Sequence, residues 1–268
     1  MAYIHSVQNP RVKRAVKLRD RRQRTKQGRF LIDGGRELSR ALAAGIAIEE
    51  VFVCEARCRT AEAQAALAMI GERCPEARFD VPPAVLDKLA FGERDEGLVA
   101  VAVTPPLGLN ALTVNQRTAL VVLESVEKPG NVGAVARTAD AAGMTGLIVT
   151  GQGATDLYNP NAVRASLGAL FALPLATAPA EELLAWLKAS GVAIFAARVE
   201  GAQLYTDVDF RGPCAIVLGN EAQGLSPLWQ GEGVTAVRLP MLGVGDSLNV
   251  SATAAVLCYE VLRQRSQS

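Results

Sequence analysis

Apolar and polar positions divide the chain into two stretches with different rhythms. From residue 119 onward, short and nearly all-apolar runs recur: ALVVLE (119–124), GLIVT (146–150), VAIFAA (192–197), CAIVLG (214–219) and TAVRLP (235–240), with FALPLA (171–176) a shorter sixth. Strands that are apolar on both faces belong to a parallel sheet covered on both sides. Between the runs the spacing turns helical, over 132–142, 161–170, 180–190 and a long 248–263. This alternation predicts an α/β fold with a doubly wound parallel sheet. Before residue 104 the alternation is looser, with helices over 34–44, 61–70 and 85–89 and strands over 48–55 and 97–103, and it predicts a smaller α/β domain. TPPLGLN (104–110) can continue neither a strand nor a helix and marks a linker. The expected division is therefore an N-terminal domain over 1–104, a linker over 105–117 and a C-terminal domain over 118–268.

Composition narrows the classes. Half of the 268 residues are apolar and 21% are charged, enough apolar material for a sizeable core. No apolar run approaches the roughly 20 residues of a membrane helix. The opening MAYIHSVQNPRVKRAVK lacks a secretory apolar core, so a cytoplasmic location and no membrane partner are expected. A Ser-His-Asp triad or a HExxH zinc site would have to rest on the single histidine, His5, which sits in a polar N-terminal segment where a solvated imidazole is expected. Cys54, Cys58, Cys74, Cys214 and Cys258 have no CxxC spacing, so reduced thiols and no metal site are expected.

The net charge of +1 conceals an asymmetry. The first thirty residues hold ten Lys and Arg against Asp20 alone, which leaves 18 basic and 26 acidic residues for the rest. A dense and unpaired arm over 1–30 predicts a polyanionic partner, with nucleic acid ahead of a merely solvated helix face. Arg11, Lys13, Arg14, Lys17, Arg21, Arg22, Arg24 and Arg29, with Arg36 just beyond, are its expected contacts. Four Tyr and two Trp in the whole chain argue against base stacking as the main mode of recognition.

In an open α/β sheet, ligands bind outside the carboxyl ends of the strands. Three segments put unusual residues there. In LESVEKPGNVGAVARTADAAG (123–143), Gly130 and Gly133 flank Asn131 where strand gives way to helix, and Arg137 follows among alanines and valines. An N-cap for Asn131 and a structural salt bridge for Arg137 are the plainer readings. In AIVLGNEAQGLS (215–226), a strand runs straight into Gly219, Asn220 and Glu221, then Gly224. In VRLPMLGVGDSLNVSATAAVLCYEVL (237–262), a Gly-rich loop leads to Ser247 and Asn249 at the mouth of a helix, with Ser247 a candidate N-cap. The nucleotide fingerprints GxGxxG and GxxxxGK[ST] are both missing, which weighs against a dehydrogenase or an NTPase.

Together these segments resemble the three motifs of the SpoU (TrmH-like) RNA 2′-O-methyltransferases of the SPOUT superfamily. The matching residues are Asn131, Gly133 and Arg137; LGNEAQGL (218–225); and LPM (239–241) with SLNVS (247–251). The resemblance covers roughly 118–265, and NPRVK and GRFLIDGGREL resemble, more loosely, the small substrate-binding domain that many members carry. It implies a trefoil knot in the C-terminal domain, S-adenosylmethionine as cofactor, and a homodimer formed through that domain. Cofactor contacts would fall on Leu218, Gly219, Asn220, Gly224, Leu239, Met241 and Leu248. Arg137 would be the catalytic arginine, with Asn131, Glu221, Ser247 and Asn249 holding it and the ribose. A guanidinium makes a poor base, so an electrostatic clamp on the developing alkoxide is the role expected of Arg137. The substrate implied is structured RNA, rRNA ahead of tRNA, with 23S rRNA first. A tRNA 2′-O-methyltransferase and a non-catalytic ribosome assembly factor are the alternatives.

Overall fold

The computed structural model describes residues 2–91, 96–199 and 202–267. The chain forms two compact units, one of 1–105 with 158–172 and one of 106–157 with 173–268.

The first unit runs β1 (Ala2–Tyr3), α1 (Pro10–Lys17), α2 (Arg21–Gln27), β2 (Arg29–Asp33), α3 (Gly35–Ala43), β3 (Ile48–Val53), α4 (Ala61–Arg73), β4 (Arg78–Asp80), α5 (Pro83–Leu89) and β5 (Leu98–Val103). Its sheet has the order β1-β4-β3-β5-β2, with β5 antiparallel to both β3 and β2. Asn9 caps α1 by accepting from the Arg11 amide at 2.9 Å, and Pro10 fits the first helical position, where no amide hydrogen is needed. Val12 and Ala15 of α1 then pack with Leu18, Leu31, Phe52 and Val101 in one core.

The first thirty residues are therefore not an arm, which corrects the sequence reading. Arg24 is 5% exposed, and its Nη1 donates to the Leu18 and Arg19 carbonyls at 2.8 Å each, just past the end of α1. It is unavailable as a surface contact. Arg11 and Arg14 both meet the Glu50 carboxylate, Arg29 makes a two-point contact with Glu49, and Arg36 meets Glu62 at 2.8 Å. The segment looked unpaired because its acids lie 20 to 40 residues downstream and only β-sheet formation brings them near. Lys13, Arg14, Lys17, Arg21, Arg22 and Lys26 remain exposed on α1 and α2. Replacing Arg24 with alanine strands two carbonyls and should cost about 2 kcal/mol in a urea titration. An unchanged midpoint would show that Arg24 does not hold this corner.

Asp33 ends β2. Burial pushes its carboxyl up to about 6, against the Phe91 amide that donates to it and the Arg164 charge, both of which favour the anion. A carboxyl with a raised folded-state pKa contributes stability that is present below about pH 4 and lost as pH rises through 6. The span corresponds to about 3 kcal/mol. Asp33→Asn, which can still accept from Phe91, should match the parent below pH 4 and exceed its urea midpoint above pH 6. Parallel pH profiles would refute that.

The second unit runs β6 (Ala119–Glu124), α6 (Pro129–Ala141), β7 (Gly146–Thr150), then β8 (Leu175–Thr177), α8 (Ala180–Ala189), β9 (Ala193–Ala197), β10 (Gln203–Leu204), β11 (Cys214–Leu218), β12 (Val234–Arg238) and α9 (Val250–Ser266); between β7 and β8, α7 (Pro160–Ala165) belongs to the first unit. The seven strands are all parallel in the order β10-β12-β9-β11-β6-β7-β8. Leu120, Val122, Ile148, Ala215, Val217 and Trp229 lie in the core on one face, and α6 packs against α9. The helix expected over 161–170 stops at Ala165, because Leu167 and Gly168 take positive φ (+53° and +84°) and a 3₁₀ turn follows at Ala169–Phe171. Cys214 and Cys258 are buried in this unit, which pushes their thiols up to about 11 and about 12.

Candidate functional site

The parallel strands β6, β9, β11 and β12 all end at one edge of the sheet, and the three motifs lie in the loops that leave them. After β6 the chain turns sharply at Ser125, a non-glycine residue at φ +54°, whose amide donates to the Thr150 carbonyl at 2.9 Å. Such strain persists only where the surroundings fix it. Helix α6 then starts at Pro129, so Asn131 is not the N-cap but sits within the first turn.

Free of capping, Asn131 joins the other two motifs. Its Nδ2 donates to Oε1 of Glu221, and its Oδ1 accepts from Nδ2 of Asn249 at 3.4 Å. Asn249, not Ser247, caps α9: its Oδ1 accepts from the Ser251 amide at 2.8 Å and hydroxyl at 2.7 Å. The cap holds the asparagine still while its amide group reaches across to α6. Arg137 stands six residues beyond Asn131, about 9 Å along the helix. It is exposed and makes no ion pair among the described residues, so the salt-bridge reading does not apply.

The loop after β11 folds back on itself. Asn220 and Gly224 exchange two backbone hydrogen bonds (3.1 and 2.9 Å), closing the turn through Glu221. A Cβ on Gly219 would lie 2.4 Å from the Gly224 carbonyl carbon and oxygen, so only glycine fits there. Both feet of the loop are tied to the end of β6. Asn220 Nδ2 donates to the Ser125 carbonyl at 2.9 Å, and the Ser226 amide and hydroxyl both donate to the buried Glu124 carboxylate at 2.7 Å.

This loop, the end of β9 and the 239–250 segment enclose a cavity of about 480 Å³, within the usual range for a small-molecule site. All seven residues expected to meet a cofactor line it: Leu218, Gly219, Asn220, Gly224, Leu239, Met241 and Leu248. Of the expected catalytic set, Glu221 and Ser247 line it as well, whereas Asn131, Arg137 and Asn249 lie off its wall. Sequence reading missed Arg198 and Val199 after β9, which line the cavity, and the Glu124–Ser226 tie. An arginine directly after an all-apolar strand was the available signal for the first. Nothing local marks Glu124, whose partner is 102 residues away.

The SpoU rRNA Methylase family matches residues 118–259, and an MRM3-like substrate binding domain matches residues 9–100. A 23S rRNA (uridine(2479)-2'-O)-methyltransferase from Streptomyces viridochromogenes is 32% identical over 92% of this chain and 87% of its own length. Among solved structures, an RNA 2'-O ribose methyltransferase is 40% identical, with a TM-score of 0.84 over 98% of this chain and 99% of its own. The AdoMet-bound rRNA methyltransferase from Sinorhizobium meliloti is 27% identical, with a TM-score of 0.87 over 97% of each chain. The chain belongs to the SpoU rRNA methylase family. Among the described residues, no helix is long and apolar enough to cross a membrane, and no group of three or more His, Cys, Asp or Glu could hold a metal ion.

Proposed function

We propose that the chain transfers a methyl group from S-adenosylmethionine to a ribose 2′-hydroxyl of structured RNA, with 23S rRNA as the substrate. The observation that carries this reading is the chain of contacts from Asn249 through Asn131 to Glu221, which joins all three motifs at the edge of the cavity. Relatives named for 23S rRNA ribose methylation support the choice of RNA, and the substrate-binding match over 9–100 supports a role for the first unit in holding it.

The cavity suits the cofactor on its own chemistry. It combines apolar walls (Leu218, Leu239, Leu248) with polar groups, and the Nε of Arg198, buried and without a hydrogen-bond partner among the described residues, is a donor left over for a ligand. When bound, S-adenosylmethionine supplies an electrophilic methyl group. Gly219 and Leu239 line the cavity that would hold the ligand, and closure by Asn220 and Gly224 keeps the loop after β11 in place. Arg137, which makes no ion pair among the described residues, is the cation that clamps the alkoxide developing on the ribose and a neighbouring phosphate. Asn131, Glu221, Ser247 and Asn249 hold the ribose at the edge of the cavity, where alignment of hydroxyl and methyl supplies much of the rate. The exposed bases of α1 and α2 add sequence-independent attraction to phosphates.

The same reading carries the family's trefoil knot through the last two motifs, supported by the match of the SpoU rRNA Methylase family over residues 118–259. It also carries a homodimer, supported by the exposed Leu242, Val244, Tyr259 and Leu262 of the second unit. A sedimentation mass near the 28.3 kDa of one chain would remove the dimer.

Purified protein, tritiated S-adenosylmethionine and total RNA from a host lacking the modification test the reaction. Label in 23S rRNA at an alkali-resistant dinucleotide is expected. Label in tRNA would overturn the substrate, and cofactor binding with no label in any RNA would overturn the activity.

A further inference from the structure

One wall of the cavity carries a charge that the motifs do not account for. Arg198 follows β9 directly, and its backbone amide donates to the Val237 carbonyl of β12 at 2.9 Å. The next residue on β12 is Arg238, so two arginines leave neighbouring parallel strands at the carboxyl edge where ligands bind, and both line the cavity. Like charges side by side on adjacent strands are unfavourable unless something negative sits between them or beside them. Among the described residues, neither arginine makes an ion pair; Arg238 Nε donates to the Ala202 carbonyl at 3.2 Å, and the Arg198 Nε is buried with no partner at all. A buried N–H without an acceptor is costly, and a ligand acceptor is the simplest remedy.

We propose that Arg198, with Arg238 beside it, forms a carboxylate subsite that anchors the amino-acid end of the methyl donor. The inference rests on the reading of the cavity as the S-adenosylmethionine site. A guanidinium fork matches a carboxylate at two points and so fixes direction as well as place. Apolar Leu239 and Leu248 on the same cavity have no such preference and suit the flat, uncharged end of the ligand. The arrangement therefore sets the orientation of the donor along the cavity, and with it the direction in which the methyl group faces.

Calorimetry on the full chain without RNA separates the contributions, using S-adenosylmethionine and its decarboxylated analogue as probes. The parent protein is expected to bind the intact donor about 10- to 100-fold more tightly than the analogue, the range for one charge-assisted contact. Arg198→Met should lose that factor for the intact donor and leave the analogue within about twofold, while Arg198→Lys should recover part of it. Equal weakening of both ligands in Arg198→Met would make the residue structural and overturn the subsite. So would equal affinity of the parent for both ligands, a result that does not depend on any variant folding. If Arg198→Met binds the intact donor normally and instead loses affinity for 23S rRNA, the arginine serves a phosphate and the proposal falls. Absence of any binding of the intact donor to the parent would remove the reading of the cavity itself, and the subsite with it.

Discussion

Arg137→Ala should lower methyl transfer to RNA by about 10³-fold in kcat, leave S-adenosylmethionine affinity within about twofold, and change the unfolding free energy from a urea titration by no more than about 0.5 kcal/mol. Each part of that expectation follows from where the side chain sits. Arg137 is exposed, pairs with no acid among the described residues, and lies off the wall of the cavity, so neither folding nor donor binding depends on it. Buried Val135, Ala136 and Ala139 carry the packing of α6 and are untouched by the substitution. What is lost is a fixed positive charge at the point where negative charge develops, and that loss appears in kcat. A fall in donor affinity together with kcat would make Arg137 a part of the fold. Single-turnover kinetics with saturating donor, set beside calorimetry, distinguishes the two.

Gly219→Ala should act on the opposite quantity. The added methyl would sit 2.4 Å from the Gly224 carbonyl and 2.6 Å from the Leu225 nitrogen, and backbone cannot yield as a flexible side chain can. Relief requires opening the Asn220–Gly224 pair and pulling against the Asn220–Ser125 and Ser226–Glu124 ties. The expected cost is about 1–3 kcal/mol of stability and about 10²-fold in donor affinity, roughly 3 kcal/mol, because the displaced loop lines the cavity. Wild-type affinity in a stably folded Gly219→Ala would show that the loop does not shape the donor site.

These two residues also show how far the sequence could be read. Gly219 and Arg137 were visible as oddities: a glycine where a buried strand ends, and an arginine among alanines. Their chemistry was legible because local rules assign the strand end and the helix start within a few residues of their true positions. The central strands of the larger sheet were legible for the same reason, since strands buried on both faces are apolar throughout. The short strands β1, β4 and β10 were not, because two or three residues carry no period to detect. Strand β2 (Arg29–Asp33) was hidden differently, because its first two residues fall at the end of the stretch that charge alone marked as an arm.

The order of the capping residues was another matter of geometry. Sequence placed Asn131 and Ser247 as plausible caps; the structure gives the cap of α9 to Asn249 and frees Asn131 for Glu221. A cap is decided by where the chain leaves helical dihedral angles, and that depends on what the preceding loop packs against.

The sequence by itself determined the two-part α/β organisation, the parallel character of the larger sheet, and the identity of the residues brought to its carboxyl edge. Those follow from interactions within a few residues, where the burial of a strand or the start of a helix leaves a local trace. Only the tertiary structure decided which charges are spent and which are free. Glu49, Glu50 and Glu62 neutralise arginines that looked unpaired, Arg24 is consumed by backbone carbonyls, and among the described residues Arg137 and Arg198 are left without acidic partners. Coulomb interactions and hydrogen bonds depend on distance in space, and a partner 20 or 100 residues away leaves no mark on its neighbours in the chain.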